Sequence, residues 1–232
     1  MNSKLKDEIE SFKNLWYGGY RTGHSPKRNQ KGLEEYLKAQ LGSDMVVLEI
    51  GCGGGQWSAQ ICDEVSKLYC VDVLSEEHNN FFNFVGHDKK GKIEYYQVDN
   101  FDLDDIPDNS LDYVFSYDVF CHISSSGINS YLKSLYKKCK KGCVLNIMYA
   151  DVYKYFESEP EHIYISQTEF GEDDIVKLQG MMVEDHDGDP REGRWYWVGV
   201  DRFIEMCESN RFKILDRDIN IDKTNPITIF AK

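Results

Sequence analysis

Four glycines crowd into five positions, Gly51, Gly53, Gly54 and Gly55, directly after the hydrophobic run VVLEI (46–50) and its acid Glu49. Glycine adopts backbone conformations closed to other residues and lets a ligand rest directly on the chain. Between a strand and a helix, such a turn suits the phosphate or nucleoside part of a ligand. A purely structural turn needs one or two glycines rather than four. The dinucleotide fingerprint GxGxxG requires a glycine five positions after the first, and Gln56 stands there. The spacing is instead E-x-G-x-G-x-G, which fits a nicotinamide-dependent oxidoreductase poorly.

Other residues offer different chemistry. His122 follows a strand candidate, and an unperturbed imidazole titrates near about 6.5, suited to taking a proton at neutral pH. Packing or hydrogen bonding is the competing role for it. Tyr17, Tyr20, Arg21 and His24 share the glycine-rich stretch WYGGYRTGHSP (16–26), which reads as a solvated loop or as a contact to substrate or cofactor. Arg194, Trp195, Tyr196 and Trp197 put a guanidinium among aromatic rings. That group grips a phosphate or carboxylate while rings stack on a sugar or base, or else packs a lid onto the domain. DHDGDP (185–190) lacks the glycine position and closing glutamate of a calcium loop and reads as a turn.

The elements that must position these residues alternate. Strand candidates are MVVLEI (45–50), KLYCVDV (67–73), KIEYYQVD (92–99), LDYVFSYD (111–118), GCVLNIMYA (142–150), FKILDRDINI (212–221) and PITIFAK (226–232). Helices are expected from near Gln56, Glu76, Gly127 and Val200. The alternation predicts an α/β fold, a Rossmann-like seven-stranded mostly parallel sheet with helices on both faces. The short DKTNP connection makes the last strand antiparallel. Ahead of this core, apolar Leu5, Ile9, Phe12 and Trp16 predict a helix over 2–16, and QKGLEEYLKAQL (30–41) predicts another, closed by Gly42. The expected organisation is one domain: a helical cap and loop (1–44), a ligand-binding core (45–150), an acidic, tyrosine-rich insertion or lid (151–199), and a helix with strands completing the sheet (200–232).

In this order and spacing the motifs resemble class I S-adenosylmethionine-dependent methyltransferases, whose first motif is an acid followed by G-x-G-x-G. The resemblance covers about residues 45–150, with a tail at 200–232. It implies S-adenosylmethionine as cofactor, with Glu49, Gly51, Cys52, Gly53 and Gly55 around its methionine end and ribose. Glu49 either braces the turn or lies near the methionine amino group. Asp72, 23 residues beyond Glu49, matches the acid that accepts from both ribose hydroxyls. Asp99 and Asn100 in YYQVDNFD match the adenine-binding position. FSYDVFCHIS resembles the family's D-V-L-E-H-I stretch through Asp118 and His122, with Cys121 replacing the acid. LKSLYKKCKKGCVLNI resembles the following helix, basic turn and fifth strand.

Methyl transfer from a sulfonium requires alignment of nucleophile, carbon and sulfur, which supplies up to about 7–11 kcal/mol in ideal cases. A hydroxyl acceptor also benefits from a base, worth on the order of 10²–10⁴ in rate. His122 is the candidate. The chain lacks the [DN]PP[YF] signature of amino-methylating DNA enzymes, the Pro-Cys pair of cytosine-C5 enzymes, and the full acid set of magnesium-dependent catechol enzymes. No metal is expected. The narrower resemblance is to methyltransferases of bacterial surface-glycan (polysaccharide) synthesis, which implies a nucleotide-activated sugar, or its phosphorylated decoration, as O-methyl acceptor. A small-metabolite O- or N-methyltransferase and a non-catalytic methyltransferase-like subunit are the alternatives.

Bulk properties agree with a small-molecule enzyme. The 232 residues suffice for one sizeable α/β domain, and the formal net charge of −13 disfavours a nucleic acid polymer, which needs a basic face. The basic cluster KKCKKG (137–142) reads as a helix end. No stretch approaches the roughly 18 apolar residues of a membrane span. Seven cysteines without a CxxC pair, and an amphipathic rather than apolar amino-terminal segment, predict reduced thiols and a cytoplasmic location. A homo-oligomer stays open.

Overall fold

In the computed structural model, the described residues are 10, 30–158, 164–165, 168–169 and 196–232. The expected helix over 2–16, apart from helical Glu10, and the DHDGDP turn lie outside them.

Helix α1 (Gln30–Gln40) leads into strand β1 (Val46–Ile50), α2 (Gln56–Ile61), β2 (Lys67–Asp72), α3 (Phe81–Val85), β3 (Ile93–Gln97), β4 (Leu111–Ser116), α4 (Ser125–Lys138) and β5 (Cys139–Met148). Then come α5 (Val152–Ser158), a two-stranded pair β6 (Tyr164–Ile165) and β7 (Thr168–Glu169), α6 (Val200–Ser209), β8 (Lys213–Asp216) and β9 (Ile227–Ala231). Seven strands form one sheet in the order β3-β2-β1-β4-β5-β9-β8. Strands β1 to β5 are parallel, and β9 runs antiparallel to both β5 and β8. The expected Rossmann-like sheet with an antiparallel last strand is therefore present, with β9 lying inside the edge strand β8.

The central strands are apolar on both faces because each face is covered. Leu48, Ile50, Val114, Leu145 and Ile147 pack with Phe203, Cys207, Phe212 and Phe230 on one side. Val47, Cys70, Tyr113, Phe115 and Met148 pack with Leu33, Leu37, Ile61 and Phe81 on the other. Such two-sided burial is what parallel sheets require. The strand order reverses between β2-β1 and β4, which opens a crevice at the carboxyl edge where ligands of open α/β sheets bind.

Three boundaries differ from the sequence reading by three residues or more. β5 begins at Cys139, not Gly142, because Cys139 pairs with Leu111 while Lys140 meets Asp112 at 2.8 Å. KKCKKG is thus a helix end only through Lys137 and Lys138, and its last four residues are strand. The helix expected from Glu76 begins at Phe81, after Asn80 in a left-handed conformation (φ 53°). The strand expected over 212–221 stops at Asp216, where Asp216 and Asp218 turn their carboxylates onto the amides of Asp218 and Asn220. Such local bonds compete with a strand ladder. Among the described residues, no helix is long and apolar enough to cross a membrane.

Candidate functional site

The turn after β1 is built by two kinds of glycine demand. Gly51, Gly53 and Gly55 all have positive φ (74°, 49° and 87°), a region that disfavours other residues. A Cβ on Gly51 would sit 2.2 Å from Val119 Cγ2, and one on Gly55 would sit 2.3 Å from Val85 Cγ2. The protein's own side chains fill the space beside these two. The Gly51 amide donates to Val71 O at 2.7 Å and the Gly55 amide to Cys52 O at 2.9 Å, which closes the turn against β2.

The Gly53 amide donates to Asp72 Oδ2 at 2.9 Å, and the Leu74 amide donates to Asp72 Oδ1 at 2.9 Å. The half-buried carboxylate is therefore oriented at both oxygens, each with further lone-pair capacity. Burial raises its pKa, opposed by the hydrogen bonds from Leu74, Gly53 and Asn79. Asn79 donates to Tyr95 OH at 2.8 Å, and that hydroxyl donates to Leu74 O at 2.8 Å.

Glu49 is 2% exposed on the α2-facing side of β1. Its Oε2 accepts from the Ser58 hydroxyl on α2. Burial pushes the Glu49 carboxyl up to about 8, the Ser58 bond opposes the rise, and the nearby Asp72 charge adds to it. Cys52 is buried, and burial together with Cys70 holds its thiol well above the usual range.

Beyond β3, the Val98 amide donates to Asp72 O at 2.8 Å and brings Asp99 and Asn100 to the carboxyl edge beside β2. Asp99 is exposed, while Asn100 Oδ1 accepts from the Asp102 amide at 2.9 Å. Beyond β4, Ser116 Oγ donates to Ile50 O at 2.9 Å, tying the ends of β4 and β1 together. Asp118 follows, exposed and left-handed (φ 59°), and a 3₁₀ turn over Phe120–His122 presents a half-buried His122.

The carboxyl edge of β5 receives the return of the 151–199 segment. Ala150 forms a parallel bridge with Trp197, and the Tyr196 amide donates to Cys121 O at 2.8 Å. Tyr155 on α5 and Trp197 meet edge to face with ring centroids 5.7 Å apart. Tyr17, Tyr20, Arg21, His24, Arg194 and Trp195 lie outside the described residues.

The structure thus brings Glu49, Gly51, Cys52, Gly53, Gly55, Asp72, Asp99, Asn100, Asp118 and His122 to one edge of the sheet. It adds Ser58, Asn79, Ser116 and Asp151, which sequence reasoning missed. Ser58 had a signal, since it shares the buried face of α2 with Ile61 at a spacing of three. The other three act through contacts between segments distant in sequence. Among the described residues, no cluster of three or more metal-ligating side chains occurs.

Residues 48–147 match the Methyltransferase domain family. No curated protein sequence matches the chain. Three similar solved structures share its fold. The DhpI–SAH complex has 15% identity and a TM-score of 0.64, covering 100% of this chain and 98% of that one. A 1,6-didemethyltoxoflavin-N1-methyltransferase from Burkholderia thailandensis, solved with S-adenosylhomocysteine, has 14% identity and a TM-score of 0.62, covering 99% and 88%. A SAM-dependent methyltransferase from Aquifex aeolicus has 18% identity and a TM-score of 0.56, covering 99% and 96%.

Proposed function

We propose that this S-adenosylmethionine-dependent methyltransferase, whose matched domain spans residues 48–147, methylates a hydroxyl of a small polar acceptor, a nucleotide-activated sugar or its phosphorylated decoration. The observation that carries the cofactor part is the union of the glycine turn with an oriented acid: Gly53 and Leu74 fix both oxygens of Asp72 at the switch point of the sheet. These residues fit the cofactor. Asp72 keeps acceptor capacity for two ribose hydroxyls, Asn100 and Asp99 follow β3 beside it for the adenine, and buried Glu49, two residues before the turn, is bound to Ser58 on the helix after it.

S-adenosylmethionine supplies a sulfonium-activated methyl group, and the protein's own residues do the rest. Asp72, with Asp99, Asn100 and Glu49, would hold the cofactor at the carboxyl edge, so that the methyl group it supplies could pass to an acceptor oxygen. A ring nitrogen of His122 takes the hydroxyl proton. What supports this role is its position after β4, at the carboxyl edge where ligands of open α/β sheets bind. Asp118, Tyr17, Tyr20, Arg21, His24, Arg194 and Trp195 complete the cofactor and acceptor contacts in this reading, with the 151–199 insertion covering the acceptor.

Two features support the sugar reading: the WYGGYRTGHSP element ahead of the core and the aromatic GRWYWVG run before α6. A small-metabolite acceptor is the second reading, because the Burkholderia enzyme of the same fold is named for N-methylation of a didemethyltoxoflavin. Incubation of the protein with S-adenosylmethionine and a panel of sugar nucleotides, sugar phosphates and small metabolites separates them. A product heavier by one methylene unit on a sugar nucleotide or its phosphorylated form establishes the first reading. A gain only on a free metabolite replaces it with the second.

A further inference from the structure

Asp151 follows the Ala150 bridge, three residues beyond the end of β5, and is 6% exposed. Its two carboxylate oxygens serve two different helices. Oδ1 accepts from the Lys154 amide at 2.8 Å, capping the first turn of α5. Oδ2 accepts from the Val200 amide at 3.1 Å, the first amide of α6, 49 residues away. Gly199, which precedes α6, makes no side-chain cap of its own. One buried carboxylate thus meets the positive ends of two helices.

The surrounding bonds carry this clamp toward His122. The Gly199 amide donates to Ala150 O at 3.2 Å, and Trp197 bridges Ala150. The Tyr196 amide donates to Cys121 O, the carbonyl immediately before His122. Release of Val200 from Asp151 would therefore loosen the 196–199 segment where it lies against the 3₁₀ turn that presents His122. On the α5 side, Lys154 pairs with Asp218 and Tyr155 packs on Trp197, so both flanks of the insertion are set from the same point.

We propose that Asp151 is a positioning residue for methyl transfer: it anchors both flanks of the 151–199 insertion and thereby holds Trp197 against Ala150 and Tyr196 against the carbonyl that precedes His122, where the acceptor is bound. The acceptor part rests on the function proposed above, while the anchoring part stands on the hydrogen bonds alone.

The test uses the full chain with Asp151→Ala and Asp151→Asn. The amides of Lys154 and Val200 are followed by hydrogen–deuterium exchange, S-adenosylhomocysteine affinity by calorimetry, and KM and kcat with UDP-, GDP- and CDP-linked hexoses. In Asp151→Ala both amides exchange faster, by about tenfold or more for each lost charge-assisted bond, while cofactor affinity is retained. Acceptor KM rises about tenfold with a much smaller change in kcat, the pattern of weakened acceptor binding rather than of lost chemistry. Asp151→Asn keeps one acceptor oxygen, so only one amide is released and KM rises less. Unchanged exchange at both amides overturns the proposal, as does a loss of cofactor affinity that parallels the faster exchange. Faster exchange with unaltered acceptor KM overturns the positioning role. If the wild-type protein turns over none of these hexoses, the acceptor reading fails, and the exchange and cofactor measurements still decide the anchoring.

Discussion

The backbone amide of Gly53 donates to Asp72 Oδ2 at 2.9 Å, so the glycine turn after β1 and the acid that closes β2 form one unit. Neither can change without the other. The turn's conformation depends on an acceptor supplied by the neighbouring strand, and the carboxylate's orientation depends on amides supplied by the turn and by Leu74.

Asp72→Ala consequently removes more than a ligand contact. Hydrogen bonds to a charged group are worth about 1.5–3 kcal/mol each, and two backbone amides lose their acceptor. S-adenosylmethionine affinity falls by on the order of a hundredfold, and the unliganded protein melts at a lower temperature. Asp72→Asn retains one acceptor oxygen and loses less of both. Calorimetric titration with S-adenosylhomocysteine, paired with thermal melting, checks this. A folded Asp72→Ala protein with wild-type affinity would rule out the ribose assignment.

Gly51→Ala is a stability lesion before it is a binding lesion. The new methyl would lie 2.2 Å from Val119 Cγ2 on a backbone with φ of 74°. Backbone strain costs about 1–3 kcal/mol, and overpacking costs about 1–3 kcal/mol. Adding Val119→Ala restores the packing share and leaves the strain share. Urea denaturation of the single and double variants measures both. Equal stability of Gly51→Ala and wild type would mean that the turn had rearranged.

These contacts mark the boundary of what the sequence made legible. The seven strands and their mostly parallel order were readable because two-sided burial writes near-continuous apolar runs such as VVLEI and YVFS into the chain. The placement of Asp72 at the end of β2, and of His122 in the segment that follows β4, rested on the same strand pattern. Illegible were features set by partners far along the chain. Cys139 is a strand residue because Leu111 pairs with it, and Gly51 and Gly55 are glycines partly because Val119 and Val85 occupy their Cβ space. Asp151 looks like an ordinary acid until Val200 comes beside it.

Glu49 gives the fold a pH dependence of defined sign. Its folded pKa is raised from 4.5 to about 8, so the folded protein holds a proton that the unfolded chain releases between these values. Its contribution to stability is fully present below about 4.5 and is lost as pH rises through about 8, with a slope of at most about 1.4 kcal/mol per pH unit. Glu49→Gln, which mimics the protonated acid and still offers Ser58 an acceptor, flattens that slope and is more stable than wild type above pH 8. Denaturation curves at intervals from pH 5 to 9 test this. Parallel pH profiles for the two proteins would mean that Glu49 is ionised in the fold.

His122 is the residue where chemistry and architecture separate most cleanly. Its backbone is held without its side chain: the His122 amide donates to Val119 O at 2.8 Å, and the carbonyl before it accepts from Tyr196. Substitution of the imidazole therefore leaves the 3₁₀ turn anchored. His122→Ala and His122→Gln retain S-adenosylhomocysteine affinity and lose kcat on a hydroxyl acceptor by on the order of 10²–10⁴, the contribution of a positioned base. Single-turnover measurements keep product release out of the comparison. If both variants turn over at near-normal rates while folded, the proton leaves by another route and His122 serves the turn rather than the reaction.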